Sequence, residues 1–235
     1  MKGKFLSGMR DGIPIALGYL SVSFTFGIKA VNDGLYWWEA LLISMTNLTS
    51  AGQLAGISVI AAGGSLIEIA MTQIVINMRY ALMSLSLTQK LDKHFTGGKR
   101  WLAGFGITDE IFAVASGRLS EVSASYMAGL ITTPFVGWSL GTALGALAGN
   151  VLPPSVQSAL SVAIYAMFIA IFVPPMKKNK NIAAVVGIGI LLSCCFKWLP
   201  VLNRVSAGFS IIICAAAAAA IGAALFPVEE KEGTA

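Results

Sequence analysis

The chain has 235 residues, of which 56% are hydrophobic and only 11% charged, with a formal net charge of +5 and a mean hydropathy of +0.78. A soluble domain carries about 25% charged residues, so this composition excludes one and indicates an integral membrane protein. The apolar stretches are continuous and about 20 residues long, which suits helices rather than the alternating strands of a β-barrel. The expected fold is an all-α integral membrane protein, one transmembrane domain over residues 1–235. About seven transmembrane helices are expected, plus broken or re-entrant segments.

Residues 1–12 carry Lys2, Lys4 and Arg10 and read as a cytoplasmic N-terminus ahead of an uncleaved first helix. The first span is expected at Ile13–Ala30, with Pro14 in its first turn and Gly18 and Gly27 within it. Tyr36, Trp37 and Trp38 form an aromatic interface anchor. The next apolar stretch, Ala40–Ala62, is polar in its middle: Asn47, Ser50 and Gln53 recur every three residues, and Gly52 and Gly56 lower helix propensity. It is either a broken helix lining a cavity or a packed helix pair held by small residues.

Ser65–Gln89 is the stretch around which the rest is organised. It is long enough to cross roughly 30 Å of hydrocarbon, and Arg79 lies near its middle. A guanidinium at that depth costs about 3–10 kcal/mol, so it needs a carboxylate, a carbonyl cluster, a water-filled cavity or an anionic ligand. Glu68, Thr72, Val75 and Arg79 share one helix face. Glu68 and Arg79 are about 16 Å apart along it and cannot pair with each other. A structural ion pair, or a helix that ends near Asn77 and lets Arg79 reach an interface, are the alternatives.

The basic loop 90–100 carries Lys90, Lys93, His94, Lys99 and Arg100 and is expected in the cytoplasm. Trp101–Gly117 is apolar yet contains Thr108-Asp109-Glu110, and span parity makes it a re-entrant segment; an interfacial helix is the alternative. Further spans are expected at Tyr126–Leu147 (with Pro134 as a candidate break), Val156–Val173, Asn181–Leu199 and Val205–Phe226, before a polar tail at 228–235. Parity fails before Lys90: three candidate spans put the basic regions at Arg10 and Lys90 on opposite sides, so either one of the three is a hairpin of half-helices or the positive-inside rule is broken there. An internal repeat is also expected, matching Arg79 with Lys197 or Arg204.

Nothing in the sequence suggests an enzyme. There is no Ser-His-Asp set, no nucleotide-binding loop and no cofactor motif, and His94 is the lone histidine. Cys194, Cys195 and Cys214 lie inside apolar segments without metal-ligand spacing, so no metal is expected. The basic residues follow topology rather than nucleic-acid binding. A channel would need rings of charge or filter motifs, which are absent from the sequence. A transporter of another small solute and a non-transporting membrane scaffold remain open.

Four segments carry a resemblance. They are Gly12-Ile13-Pro14-Ile15-Ala16-Leu17-Gly18-Tyr19, Ser50-Ala51-Gly52-Gln53, Asn77-Met78-Arg79-Tyr80 and Thr108-Asp109-Glu110. In order and spacing, over about residues 5–120, the chain resembles the AzlC family of bacterial branched-chain amino-acid exporters. The resemblance implies a secondary transporter of the cytoplasmic membrane. It implies export of leucine, isoleucine and valine, with methionine a further candidate, and a small partner subunit of the AzlD type. Asn47-Leu48-Thr49 replaces the aromatic-rich approach to the glutamine that the family suggests, and Tyr80 stands where histidine is frequent, so the substrate range stays open.

A zwitterionic amino acid needs donors for its carboxylate, acceptors for its ammonium and an apolar pocket. Arg79 is the candidate for the carboxylate, and Asp109 or Glu110 for the ammonium or a coupling proton. Asn47, Gln53 and Asn77 are candidates for orienting hydrogen bonds. Alternatively Arg79 forms a gating ion pair with Glu68, Asp109 or Glu110. Pro14, Gly18, Gly52 and Pro134 are the candidate helix breaks.

Overall fold

The structure is a computed structural model that describes residues 2–93, 95–149 and 152–227. His94 and the tail at 228–235 lie outside the described residues. The described residues are helical, with one isolated bridge between Leu91 and Val122.

Helix α1 spans Lys2–Asn32, and α7 spans Ala124–Ala148. The first span thus begins eleven residues earlier than the sequence suggests, and residues 2–12 are not a free cytoplasmic tail. The reason is packing: Gly8 lies against the backbone of Tyr126 and Leu130, Gly27 against Thr142 and Ala146, so the two helices run parallel along their length. A Cβ at Gly8, Gly27, Gly129 or Gly145 would overlap backbone atoms of the facing helix. Close approach of small residues is how helices associate where no water drives them together. Pro14 is correspondingly not in the first turn but inside α1, and Pro134 is inside α7. Each removes one backbone donor without breaking its helix, as packed membrane helices tolerate. Gly18 is likewise within α1.

The break does occur in the next stretch. Helix α2 (Trp37–Thr46) stops at Asn47-Leu48-Thr49, and α3 (Ser50–Ala61) follows. Ala40 on α2 and Ile57 on α3 share one buried cluster with Phe26 and Ala30, near the end of α1. Both arms therefore lie at the same end, and α2–α3 is a hairpin of half-helices whose tip points back into the protein.

Helix α4 (Leu66–Leu87) then runs the opposite way to α1. At its far end Lys90 Nζ donates to Ser116 O and, at 3.1 Å, to Arg118 O. Arg118 Nη1 is 3.5 Å from Asp11 on α1, whose carboxylate also accepts from Tyr126 Oη at 2.7 Å. These contacts gather Lys90, Arg118 and the start of α1 at one end, which the positive-inside rule assigns to the cytoplasm. Helices α5 (Gly98–Phe105) and α6 (Asp109–Ser116) leave and regain that end, with the break at 106–108 as their tip. This is the re-entrant segment, entering from the side opposite to α2–α3.

The parity problem is thereby removed, because the middle candidate span before Lys90 is the hairpin. The repeat is also different from the expected one. A long helix followed by a hairpin re-entering from its far end occurs over 2–61 and again, inverted, over 66–116. It does not match Arg79 with Lys197 or Arg204.

Helices α8 (Pro154–Lys178), α9 (Lys180–Trp198) and α10 (Ala207–Leu225) complete the described chain. Helix α9 runs antiparallel to α10, with Val185 at Gly222 and Gly189 at Ala218. Five described helices, α1, α4, α7, α9 and α10, are long and apolar enough to cross a membrane, and α8 has 25 residues.

Candidate functional site

The two hairpin tips meet in the middle of the molecule. Each begins its second half-helix with a threonine cap: Thr49 Oγ1 accepts from Gly52 N at 3.3 Å, and Thr108 Oγ1 from Ile111 N at 3.4 Å. A threonine before an apolar run is a helix-start signal, because its hydroxyl satisfies one of the open backbone donors. Both helix N-termini, with their partial positive charge, thus end inside the protein.

Two tyrosines hold the tips crosswise. Tyr19 on α1 donates to Thr108 Oγ1 at 2.6 Å and contacts Glu110 Oε2. Tyr80 on α4 donates to Thr49 Oγ1 at 3.3 Å. The long helix of each repeat therefore binds the cap of the other repeat's hairpin.

Arg79 finds its partner in this arrangement. Its Nη2 lies 3.0 Å from Asp109 Oδ2 and donates to Tyr80 Oη at 3.0 Å, and its guanidinium stands 4.8 Å from the Tyr80 ring centre. The two charged side chains remain 38% and 30% exposed, so the pair is partly accessible rather than sealed. Asp109, Glu110, Ser50 and the two tyrosines line a cavity of about 20 Å³, with Leu48 and Trp138 as apolar walls. That space holds about one water, so the site is closed around nothing as large as an amino acid. Trp138 packs edge-on to Tyr19, ring centres 5.0 Å apart.

The amide residues do other work. Gln53 is buried; its Nε2 donates to Asn47 O, and its Oε1 accepts from Trp138 Nε1 at 3.2 Å. Gln73 Oε1 accepts from Asn47 Nδ2 at 3.1 Å and Asn77 Nδ2 at 3.0 Å, while its Nε2 donates to Gly52 O at 2.8 Å. Asn47, Gln53 and Asn77 therefore fix the first hairpin's tip onto α7 and α4 and do not line the closed cavity. Gly52 is required there: a Cβ would stand 2.6 Å from Gln73 Oε1 and 2.7 Å from Thr49 Cγ2.

Glu68 lies outside the site. Its Oε1 accepts from Ser206 Oγ at 2.5 Å and from Gly208 N at 2.8 Å, at the start of α10. A carboxylate at a helix N-terminus is well placed electrostatically. Glu68 thus anchors α10 on α4 and is no gating partner for Arg79. Of the expected site residues, the structure brings together Arg79, Asp109 and Glu110, with Asn47, Gln53 and Asn77 behind one tip. It adds Tyr19, Tyr80, Thr49, Thr108, Gln73 and Trp138. The two threonine caps and the Gly18-Tyr19 and Arg79-Tyr80 pairs were signals in the sequence for four of these.

The AzlC protein family model matches residues 14–152, which contain both tips and both tyrosines. The inner membrane protein YgaZ of Escherichia coli strain K12 is 30% identical over 193 residues, covering 78% of this chain and 79% of that protein. An uncharacterized membrane protein of Archaeoglobus fulgidus is 34% identical over 191 residues, covering 80% of this chain and 84% of its own length. A Helicobacter pylori membrane protein, also uncharacterized, is 27% identical over 200 residues, covering 81% and 86%. No solved structure matches the chain.

Proposed function

This chain belongs to the AzlC family, as a multi-pass protein of the cytoplasmic membrane, and from that premise we propose that it is a secondary transporter exporting branched-chain amino acids. It works with a small membrane subunit of the AzlD type and is driven by the proton gradient. The observation that carries the reading is the partly exposed Arg79–Asp109 pair, whose Asp109 lines a small cavity between two inward-pointing helix tips.

A charged pair in that position has chemistry to spare for a zwitterion. Arg79 exchanges Asp109 for the substrate carboxylate, which a guanidinium binds bidentately. The N-termini of α3 and α6 add positive field at the same place. Glu110 meets the ammonium, and Asp109, released from Arg79, takes the coupling proton. Leu48 and Trp138 face the aliphatic side chain. Loading requires the tips to part, since the closed cavity is far smaller than leucine. Release of Tyr19 from Thr108 frees the α5–α6 hairpin and opens the basic end. Release of Tyr80 from Thr49 frees α2–α3 and opens the other. Alternation of the two contacts gives alternating access from an inverted repeat.

Binding tests this directly. Leucine should raise the melting temperature of the purified protein, while leucinol, which lacks the carboxylate, should not. Arg79→Ala should abolish the leucine effect. Equal stabilisation of Arg79→Ala and wild type would overturn the assignment.

A further inference from the structure

Leu48 stands at the apex of the first hairpin's tip. Thr49 N donates to Asn47 O at 2.8 Å, closing a three-residue turn with Leu48 in its centre. The Leu48 side chain is buried in a cluster with Tyr19 and Trp138, backed by Ile15, Val22 and Phe135. Every other member of that cluster belongs to α1 or α7. Those two helices touch backbone to backbone at the same level, where Gly137 lies against Ala16 and Gly141 against Leu20. The cluster is thus a fixed apolar surface with one residue of a hairpin tip set into it. The small cavity that Leu48 and Trp138 line is also lined by Asp109, the partner of Arg79.

We propose that Leu48 and Asp109 are built-in stand-ins for the substrate. In the empty protein Asp109 gives Arg79 a carboxylate, and Leu48 gives the α1–α7 surface an isobutyl group. An amino acid with a branched aliphatic side chain binds by displacing both. This rests on the reading of Arg79 as the carboxylate site, and it adds what selects the side chain. Space requires the second displacement. A cavity of about 20 Å³ admits about one water, and moving Asp109 alone makes room at Arg79 but not at the apolar wall. Of the two aliphatic or indole walls, Trp138 is held by its Nε1 bond to Gln53 and its edge contact with Tyr19. Leu48 is held by dispersion contacts alone, which a side chain of the same size and shape restores. A methyl group would not restore them, a charged side chain would stand there unpaired, and a ring would overfill the space that one leucine vacates. Leu48 then faces the bound side chain from the tip instead of occupying its place.

Titration of the purified full-length chain with leucine and, separately, with alanine tests this. The readout is the ligand concentration that gives half the maximal rise in melting temperature. Leu48→Ala removes the stand-in, so the empty state loses contacts that the leucine-bound state does not depend on. Leucine should then act at about tenfold lower concentration than on wild type. Alanine, whose methyl leaves Leu48 in place, should act on the variant as it does on wild type. Leu48→Val, a smaller change that keeps the test open should Leu48→Ala fail to fold, should shift leucine about threefold in the same direction. Leucine binding that is unchanged or weaker in these variants would make Leu48 a plain wall of the pocket and overturn the proposal. An equal shift for leucine and alanine would mean a general loosening of the tip and overturn it too. Leucine without effect on wild type would remove the reading of Arg79 and this inference with it.

Discussion

Removing one tyrosine hydroxyl should bias the protein toward one face of the membrane. Tyr19→Phe deletes two interactions, a hydrogen bond to Thr108 at 2.6 Å and a contact with the Glu110 carboxylate. A neutral hydrogen bond contributes about 1 kcal/mol and one to a charged group about 1.5–3 kcal/mol, with membrane pairs at the low end. The closed state should lose about 2–3 kcal/mol relative to the state open at the basic end, a shift of roughly 30- to 150-fold. Tyr80→Phe deletes a 3.3 Å bond to Thr49 and a 3.0 Å bond from Arg79, the second to a group already held by Asp109. About 1 kcal/mol and roughly fivefold are expected, toward the opposite face. Ser50 lines the cavity, so Ser50→Cys reports its opening once Cys194, Cys195 and Cys214 are replaced by alanine. A membrane-impermeant maleimide is applied to right-side-out and inside-out vesicles. Tyr19→Phe should speed labelling from the cytoplasmic side, and Tyr80→Phe from the outer side. Faster labelling from the same side in both variants would refute crosswise latching, as would no change in either.

Other consequences are equally direct. Gly52→Ala places a methyl into Gln73 and Thr49, so stability should fall by about 1–3 kcal/mol in denaturant or thermal melts. Glu68→Ala leaves Ser206 Oγ and Gly208 N without their acceptor, so the melting temperature should drop while leucine still stabilises the protein. A loss of leucine binding with unchanged stability would instead put Glu68 in the site. Exchange of charges in Arg79→Asp/Asp109→Arg should restore folding relative to either single variant, read as monodispersity after extraction. Gly145→Leu drives a side chain into the Phe24 backbone and should abolish a folded product, whereas Gly18→Ala, with open space beside it, should not.

What the sequence made legible was the cost of burying polar groups. Arg79 demanded a carboxylate, and Asp109 stood in an apolar run that had no other use for it. The polar run Asn47–Gln53 marked a break for the same reason. The partners of Tyr19 and Tyr80 were not legible, because they lie 89 and 31 residues away in sequence. Only the folding of two hairpins from opposite ends brings them together. The inverted repeat was hidden because its halves share a shape, a threonine cap and a mid-helix tyrosine rather than a run of residues. Pro14 misled because a local rule places proline in the first turn. Packing of Gly8 and Gly12 on α7 outweighs that rule and extends the helix back to Lys2.

In the proposed transport cycle an amino acid replaces Asp109 at Arg79 and crosses the membrane there. Counterflow of labelled leucine into proteoliposomes, with the small partner subunit present or withheld and Arg79→Ala beside wild type, tests it most directly. Wild type should exchange leucine only with the partner present, and Arg79→Ala should lose that exchange. Undiminished leucine exchange by a folded Arg79→Ala protein, or none by wild type with its partner, would contradict it.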